Sequence, residues 1–265
     1  MPSRPRSILI TGATSGIGRA LASIYAEPGV HLALSGRNQE RLDAVTAECR
    51  TAGAEVTAAK LDVRDREKIS TWIRSVDDIH PIDLVIASAG ITTGLGFGRL
   101  REDPEAVRAI NAINWLGTLN TVDPVIERMS ARGRGQIAFL GSIAALRGLP
   151  YSPAYCATKA AVHAYADALR PALAAQGVKV SLIIPGFVET AMNRDIHAPK
   201  PLQISATRAA AIIRRGLDRG TAVVAFPWFL YAGARLMPFL PNRLVDFVLR
   251  FAHVDIPETN ERNTK

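Results

Sequence analysis

Short β-rich apolar runs alternate along the chain with longer stretches whose apolar positions recur at helical spacing. Ser7-Ile8-Leu9-Ile10 reads as a first strand, followed by a glycine-rich turn and a helix from about Gly16 to Ala26, which Pro28-Gly29 stops. Val30 to Ser35 predicts a second strand, Gln39 to Ala52 a helix ending at Gly53, and Glu55 to Leu61 a third strand. Arg64 to Val76 is helical, Ile82 to Ala87 is the fourth strand, and a long helical region runs from about Pro104 to Met129. Gln136 to Leu140 and Val178 to Ile184 are strands on either side of a helix from Pro153 to about Ala175. Ser152 is placed to cap that helix, with Pro153 at its first position. Ala222 to Phe226 is the last strand.

Strands separated by helices imply right-handed crossovers and a parallel sheet covered on both faces. Buried parallel strands read as nearly continuous apolar runs, as Leu84-Val85-Ile86-Ala87 and Ser181-Leu182-Ile183-Ile184 do. The fold class is therefore α/β: a Rossmann-type doubly wound parallel sheet of about seven strands flanked by helices, with an apolar C-terminal helical tail. No repeat or linker divides the 265 residues, which suit one domain.

Composition narrows the class. With 48% apolar and 21% charged residues the chain can bury a sizeable core, which excludes global disorder. Cys49 and Cys156 lie far apart, without metal-ligand spacing, and fit a reducing cytosol. None of the five histidines forms a metal cluster in the sequence, so no metal is expected. Met1 to Arg6 is basic but leads into a strand-like run, not a secretory apolar region. The apolar stretch from Thr221 to Ala234 is broken by Pro227 and falls short of the roughly 20 residues a bilayer span needs. A soluble, cytoplasmic protein is expected. The net charge of +8 comes from scattered residues without interleaved aromatics, which argues against nucleic-acid binding.

Four places carry candidate chemistry. Thr11-Gly12-Ala13-Thr14-Ser15-Gly16-Ile17-Gly18 lies between a strand and a helix, where glycines let backbone N–H groups approach a pyrophosphate at the helix N-terminus. The plainer alternative is an ordinary βα loop. Ser35-Gly36-Arg37 ends the second strand without the acid that would accept from the ribose 2′-OH of NAD. Arg37 would instead pair with a 2′-phosphate, with Ser15 donating a hydrogen bond, unless Arg37 is merely solvated. Tyr155-Cys156-Ala157-Thr158-Lys159 sets a phenol and an ammonium four residues apart on one helix face. A free tyrosine has a pKa of about 10, and a nearby ammonium favours the phenolate. Gly141-Ser142 ends the preceding strand, at the sheet edge where ligands sit in such folds. Ser142 serves there either as a donor to a substrate carbonyl or as a turn or capping residue.

In this order the motifs resemble those of the short-chain dehydrogenases/reductases. Thr11 to Gly18 resembles their TGxxxGxG turn, Tyr155 to Lys159 their YxxxK, and Ser142 their catalytic serine. Pro185-Gly186-Phe187-Val188-Glu189-Thr190 is similar to their PGxxxT segment, and Asn114-Trp115-Leu116-Gly117 to the segment with the catalytic asparagine. The resemblance covers about residues 7 to 190. It implies that Tyr155 is the general acid in reduction and general base in oxidation, and that Lys159 lowers its pKa and contacts the nicotinamide ribose. It implies further that Ser142 orients the carbonyl and Asn114 holds a water in a proton relay. Asp62, within Leu61-Asp62-Val63, would meet the adenine, or else cap the next helix. Thr190 would hold the carboxamide end. The implied NADP(H) set is Gly12, Thr14, Ser15, Gly16, Ile17, Gly18, Arg37, Asp62, Val63, Ala89, Gly90, Tyr155, Lys159, Pro185, Gly186, Val188 and Thr190.

Two departures stand out. The family commonly has Asn-Asn-Ala-Gly where this chain has Ala87-Ser88-Ala89-Gly90, which puts support of the sheet there in doubt. Pro171 falls inside the helix carrying Tyr155, where it removes a backbone bond, three turns beyond Lys159.

The implied reaction interconverts a carbonyl and an alcohol on a hydrophobic substrate. The alternative is an NADP(H)-binding redox sensor or scaffold without turnover. Gly94 to Gly98 and Phe187 to Leu202 would border the nicotinamide site, and 186–204, with Met192, Arg194 and His197, reads as a substrate lid. An acyl-carrier substrate would use Arg128 and Arg132 as a basic face. The extension 227–265, with Trp228, Phe229, Phe239, Arg235 and Arg243, fits packing or a dimer interface, a cover over an apolar pocket, or peripheral membrane contact. The family resemblance implies a homodimer or homotetramer.

Overall fold

In the computed structural model, which describes residues 4–96, 99–194, 200 and 202–243, strands and helices alternate as the apolar pattern requires. In chain order they are β1 (Ser7–Thr11), α1 (Gly16–Tyr25), β2 (His31–Gly36), α2 (Gln39–Thr51), β3 (Glu55–Lys60), α3 (Arg66–Ile79), β4 (Leu84–Ala87), α4 (Pro104–Ile110) and α5 (Gly117–Arg132). There follow β5 (Gly135–Leu140), α6 (Pro153–Ala174), β6 (Val178–Pro185), β7 (Val188–Glu189), α7 (Ala191–Arg194), β8 (Ile204–Ser205), α8 (Ala206–Asp218), β9 (Val223–Phe226) and α9 (Trp228–Leu236).

Seven strands form one sheet in the order β3-β2-β1-β4-β5-β6-β9, all parallel. Alternation of side chains across the sheet divides the core into two layers. Ile8, Ile10, Leu84 and Ile86 face a layer that includes Leu21 of α1, Leu42 of α2 and Ile213 of α8. Leu9, Val85, Ile137 and Phe139 face the other, with Ile73 of α3, Val125 of α5 and Val162 of α6. The chain runs outward from β1 through β2 to β3, then returns to β4 and continues the other way. That reversal leaves a crevice beyond the C-terminal ends of β1 and β4.

Some local readings change. The long helical region contains a π-helical segment, Asn111–Leu116, between α4 and α5. Ser152 precedes α6 but does not cap it with its side chain; its hydroxyl donates to the Thr93 carbonyl. Glu102 accepts from the Ala154 amide in its place, at 2.8 Å. α6 continues through Pro171 to Ala174. α8 was not singled out by the strand pattern, because alanines supply much of its buried face. β7 and β8 form a separate two-stranded ladder that ties residue 188 to 204.

α9 has no buried residue, and Trp228 (73% exposed) and Phe239 (84%) project outward, so it is not a core element. No helix among the described residues is long and apolar enough to cross a membrane.

Candidate active site

The β1–α1 turn is shaped by close backbone approach. Gly12 has a φ of +68°, and a Cβ there would lie 2.8 Å from the Ala89 Cα. At Gly18 a Cβ would sit 2.3 Å from the Gly12 carbonyl oxygen, so only glycine lets α1 start this near the turn. Ser15 precedes α1 without capping it through its side chain, and the first intrahelical bond comes from Arg19. The opening N–H groups of α1 thus face the crevice without a side-chain partner from Ser15, at the positive end of the helix dipole. The doubt over Ala87-Ser88-Ala89-Gly90 is resolved by Ser88, whose hydroxyl donates to the Thr11 carbonyl at 2.6 Å and joins β4 to β1.

A cleft opens over this turn. Gly12, Thr14, Ser15, Gly16, Ile17, Gly18, Arg37, Asp62, Val63, Ala89 and Gly90 all line it, as do Ser142, Tyr155, Lys159, Pro185, Gly186, Val188 and Thr190. Arg37 is half-buried at the end of β2 and is not a freely solvated residue. The buried Ser35 hydroxyl beside it has no hydrogen-bond partner. Asp62 binds the Arg64 amide and guanidinium. Burial pushes its carboxyl up, but those bonds and the charges of Arg64 and Arg37 prevail and hold it below the usual carboxylate range. It does not cap the next helix; Asp65 does, accepting from the Lys68 amide.

At the other end of the cleft, β5 presents Ser142 and α6 presents Tyr155 and Lys159. Burial raises the Tyr155 phenol above its ordinary value, opposed by a hydrogen bond with Ser142. The Lys159 ammonium donates to the Leu140 carbonyl at 2.8 Å. Its Nζ stands 5.9 Å from the phenol ring centroid. Burial brings Lys159 down to about 8. Ser142 fulfils the capping alternative as well, accepting from the Ala144 amide at 3.2 Å.

Asn114 lies within the π-helical segment and is fully buried. Its side chain accepts from the Ile91 amide at 2.8 Å and donates to the Ile91 carbonyl at 2.9 Å. Both ends of that side chain are therefore engaged by the Ile91 backbone. It stands close to the centre all the same: a Cβ on Gly90 would be 3.3 Å from Asn114 Oδ1 and 3.7 Å from Lys159 Nζ.

The family model described as short chain dehydrogenase matches residues 6–201. The chain belongs to the short-chain dehydrogenase/reductase family. An uncharacterized oxidoreductase of Myxococcus xanthus is 36% identical over 246 residues, covering 92% of this chain and 96% of its own. A short-chain dehydrogenase from Sphingobium yanoikuyae, solved in complex with NADPH, superposes with a TM-score of 0.77 at 26% identity, over 89% of this chain and 96% of its own. The fold is shared too by a short chain dehydrogenase/reductase from Burkholderia phymatum in complex with NAD, with a TM-score of 0.79 at 22% identity over 97% of each chain.

Sequence reasoning missed several cleft residues. Arg41 enters from the first turn of α2, four residues after Arg37, and Leu61, Ile91 and Ile113 also line the walls. The Arg37/Arg41 spacing was a readable signal; the apolar lining was not. Phe97, Gly98 and His197 lie outside the described residues, and so does the Arg194 side chain.

Two expectations about charged and titratable groups are changed. Arg128 and Arg132 offer no free basic face, because both are bound to the buried Asp77, and Arg128 also to Asp78. Histidines do come together: the His31 and His80 rings stack with centroids 3.8 Å apart, and His80 Nε2 lies 3.3 Å from Glu55 Oε1. Parallel rings direct their lone pairs along separate planes, so the stack as it stands is not a coordinating arrangement.

Proposed function

We propose that the chain is an NADP(H)-dependent oxidoreductase that interconverts a carbonyl and an alcohol on a hydrophobic substrate, with Tyr155 exchanging the proton. The observation that carries this reading is one cleft with Ser142, Tyr155 and Lys159 at one end and Arg37, in place of an acid, at the other. The chain fits the cofactor on its own features: uncapped N–H groups at α1, no room for side chains at Gly12 and Gly18, and an unpartnered Ser35 hydroxyl. The NADPH held by the Sphingobium relative supports the phosphorylated form.

The backbone of Gly16, Ile17 and Gly18 binds the pyrophosphate. Arg37, with Ser15 and Thr14 alongside, pairs with the 2′-phosphate, and Arg41 adds a second guanidinium. Asp62 and Val63 border the adenine, while Ala89 and Gly90 leave space for the ribose. Pro185, Gly186, Val188 and Thr190 hold the carboxamide end. When bound, NADPH supplies the hydride. Ser142 donates a hydrogen bond to the substrate carbonyl oxygen, and Tyr155 delivers its proton to that oxygen as negative charge develops. A phenol raised by burial is a protonated donor at neutral pH, which suits reduction. Lys159, a cation at neutral pH, contacts the nicotinamide ribose, and Asn114 positions Ile91 at the cleft wall. Val188, Thr190 and Met192 border the substrate side, residues 195–199 and 201 of the expected lid lie outside the described residues, and the exposed 227–243 face fits an interface of a homodimer or homotetramer.

Titration with NADPH and NADH, followed by nicotinamide fluorescence, tests the cofactor site. Turnover on aryl alkyl ketones tests the chemistry. Tyr155→Phe should lower kcat at least a hundredfold and leave NADPH affinity within twofold. Equal activity of mutant and wild type removes Tyr155 from the mechanism, and NADPH binding without any turnover favours the sensor reading.

A further inference from the structure

We infer that His163 is the positioning residue that anchors Ser142 at the end of β5, acting as a neutral hydrogen-bond acceptor; the inference rests on the reduction chemistry proposed above. Three bonds tether two consecutive peptide units where β5 ends. The Leu140 carbonyl accepts from Lys159 at 2.8 Å, the Gly141 amide donates to Ile183 of β6 at 2.8 Å, and the Ser142 amide donates to His163 Nε2 at 3.2 Å. The first tether is conditional, since Lys159 must turn to the cofactor. The third is held by a side chain that is not among the cleft-lining residues.

The helix places that side chain where it is needed. Tyr155, Lys159 and His163 follow at four-residue spacing in α6, so one face carries proton donor, ammonium and anchor. Space is matched as well as bonding. A Cβ on Gly141 would lie 2.3 Å from His163 Nε2, and Gly141 is not among the glycines of positive φ. Glycine stands at 141 to admit the imidazole, not to relieve the backbone.

An imidazole nitrogen accepts only when unprotonated, so Nδ1 carries the ring proton here. Burial, and then the Lys159 ammonium, push the His163 pKa down to about 4, while Asp167 pulls the other way. Both charges sit on α6; β5 meets the ring with Gly141 and Ser142. The acceptor therefore survives throughout the range in which a protonated phenol is wanted. Without it, the Ser142 amide is buried and unpaired, and the hydroxyl that bonds Tyr155 loses its fixed base.

Two variants separate anchoring from packing. His163→Leu fills the site but removes the acceptor, whereas His163→Gln presents Oε1 near the position of Nε2. With NADPH and an aryl alkyl ketone, His163→Leu should lose ten- to a hundredfold in kcat, with NADPH affinity and ketone KM within about threefold. His163→Gln should restore most of that loss. Wild-type kcat in His163→Leu, or equal losses in both variants together with lost NADPH binding, would overturn the anchor. Side-chain ¹⁵N spectra of the wild type provide a readout that needs no turnover: Nε2 should be unprotonated and Nδ1 protonated from pH 7 to 5. A ring that titrates near 6.5 overturns the proposal even if His163→Leu does not fold. Should the wild type reduce no ketone, the reduction reading falls, and the nitrogen spectra alone uphold or overturn the anchor.

Discussion

On the proposed reading, the phosphorylated cofactor depends on Arg37. The residue is half-buried on the cleft wall and shares that end with Asp62, whose carboxylate its charge helps hold below the usual range. Arg37→Asp replaces an attraction for the 2′-phosphate with a repulsion. NADPH affinity should fall by about a hundredfold, a loss of roughly 3 kcal/mol, while NADH affinity holds or improves. Fluorescence titration of the two cofactors measures both, and an unchanged NADPH affinity would assign the phosphate to Arg41 or Ser15 instead. Residues of this kind were legible because their signal is local: Tyr155 and Lys159 by spacing, Gly12 to Gly18 by composition, Arg37 by the missing acid. The bonds made by His163 and Asn114 were not legible, because their partners Ser142 and Ile91 lie 21 and 23 residues away in the chain.

Between elements, the joint of α3 with α5 is held by an ion cluster that no spacing announces. Asp77 is fully buried; it accepts from Arg128 and Arg132 of α5 and from the Ile82 amide that leads into β4. Burial pushes its carboxyl up, but the two arginines and the amide outweigh that and hold it below the usual carboxylate range. Asp77→Ala would leave two guanidinium groups and an amide without their acceptor, and should destabilise the protein by about 3 to 5 kcal/mol. Urea midpoints measure this, and NADPH affinity of the folded variant should be unaltered because the cluster does not line the cleft. A loss under 1 kcal/mol would mean that water replaces the carboxylate. The strands of the large sheet were readable as continuous apolar runs, whereas the two-residue β7–β8 ladder is too short to leave a pattern and α8 is masked by its alanines.

For the molecule as a whole, a buried ammonium at the centre of the site links stability to pH. Lys159 has a pKa of about 8 when folded against an ordinary value of 10.5, so between those values the unfolded chain binds more protons and stability rises with pH. The difference in unfolding free energy between wild type and Lys159→Met should thus shift by roughly 2 kcal/mol in favour of wild type from pH 8 to 10. Denaturant titrations at the two pH values test it; a flat difference would mean that the ammonium is solvated. The overall architecture was legible from sequence because a doubly wound sheet is assembled from sequential local units, but the connections through Ser88, Asp77 and His163 depend on how those units meet. The π-helical segment at Asn111–Leu116 has a consequence for that meeting. One residue added without an added turn advances the helical phase by about 100°. The rod from 104 to 132 thus has two angular settings, one aiming Asn114 at Ile91 and one aiming Val122, Val125 and Met129 into the core. Deleting a single residue there would leave the helix intact by every local measure and put its two ends out of step.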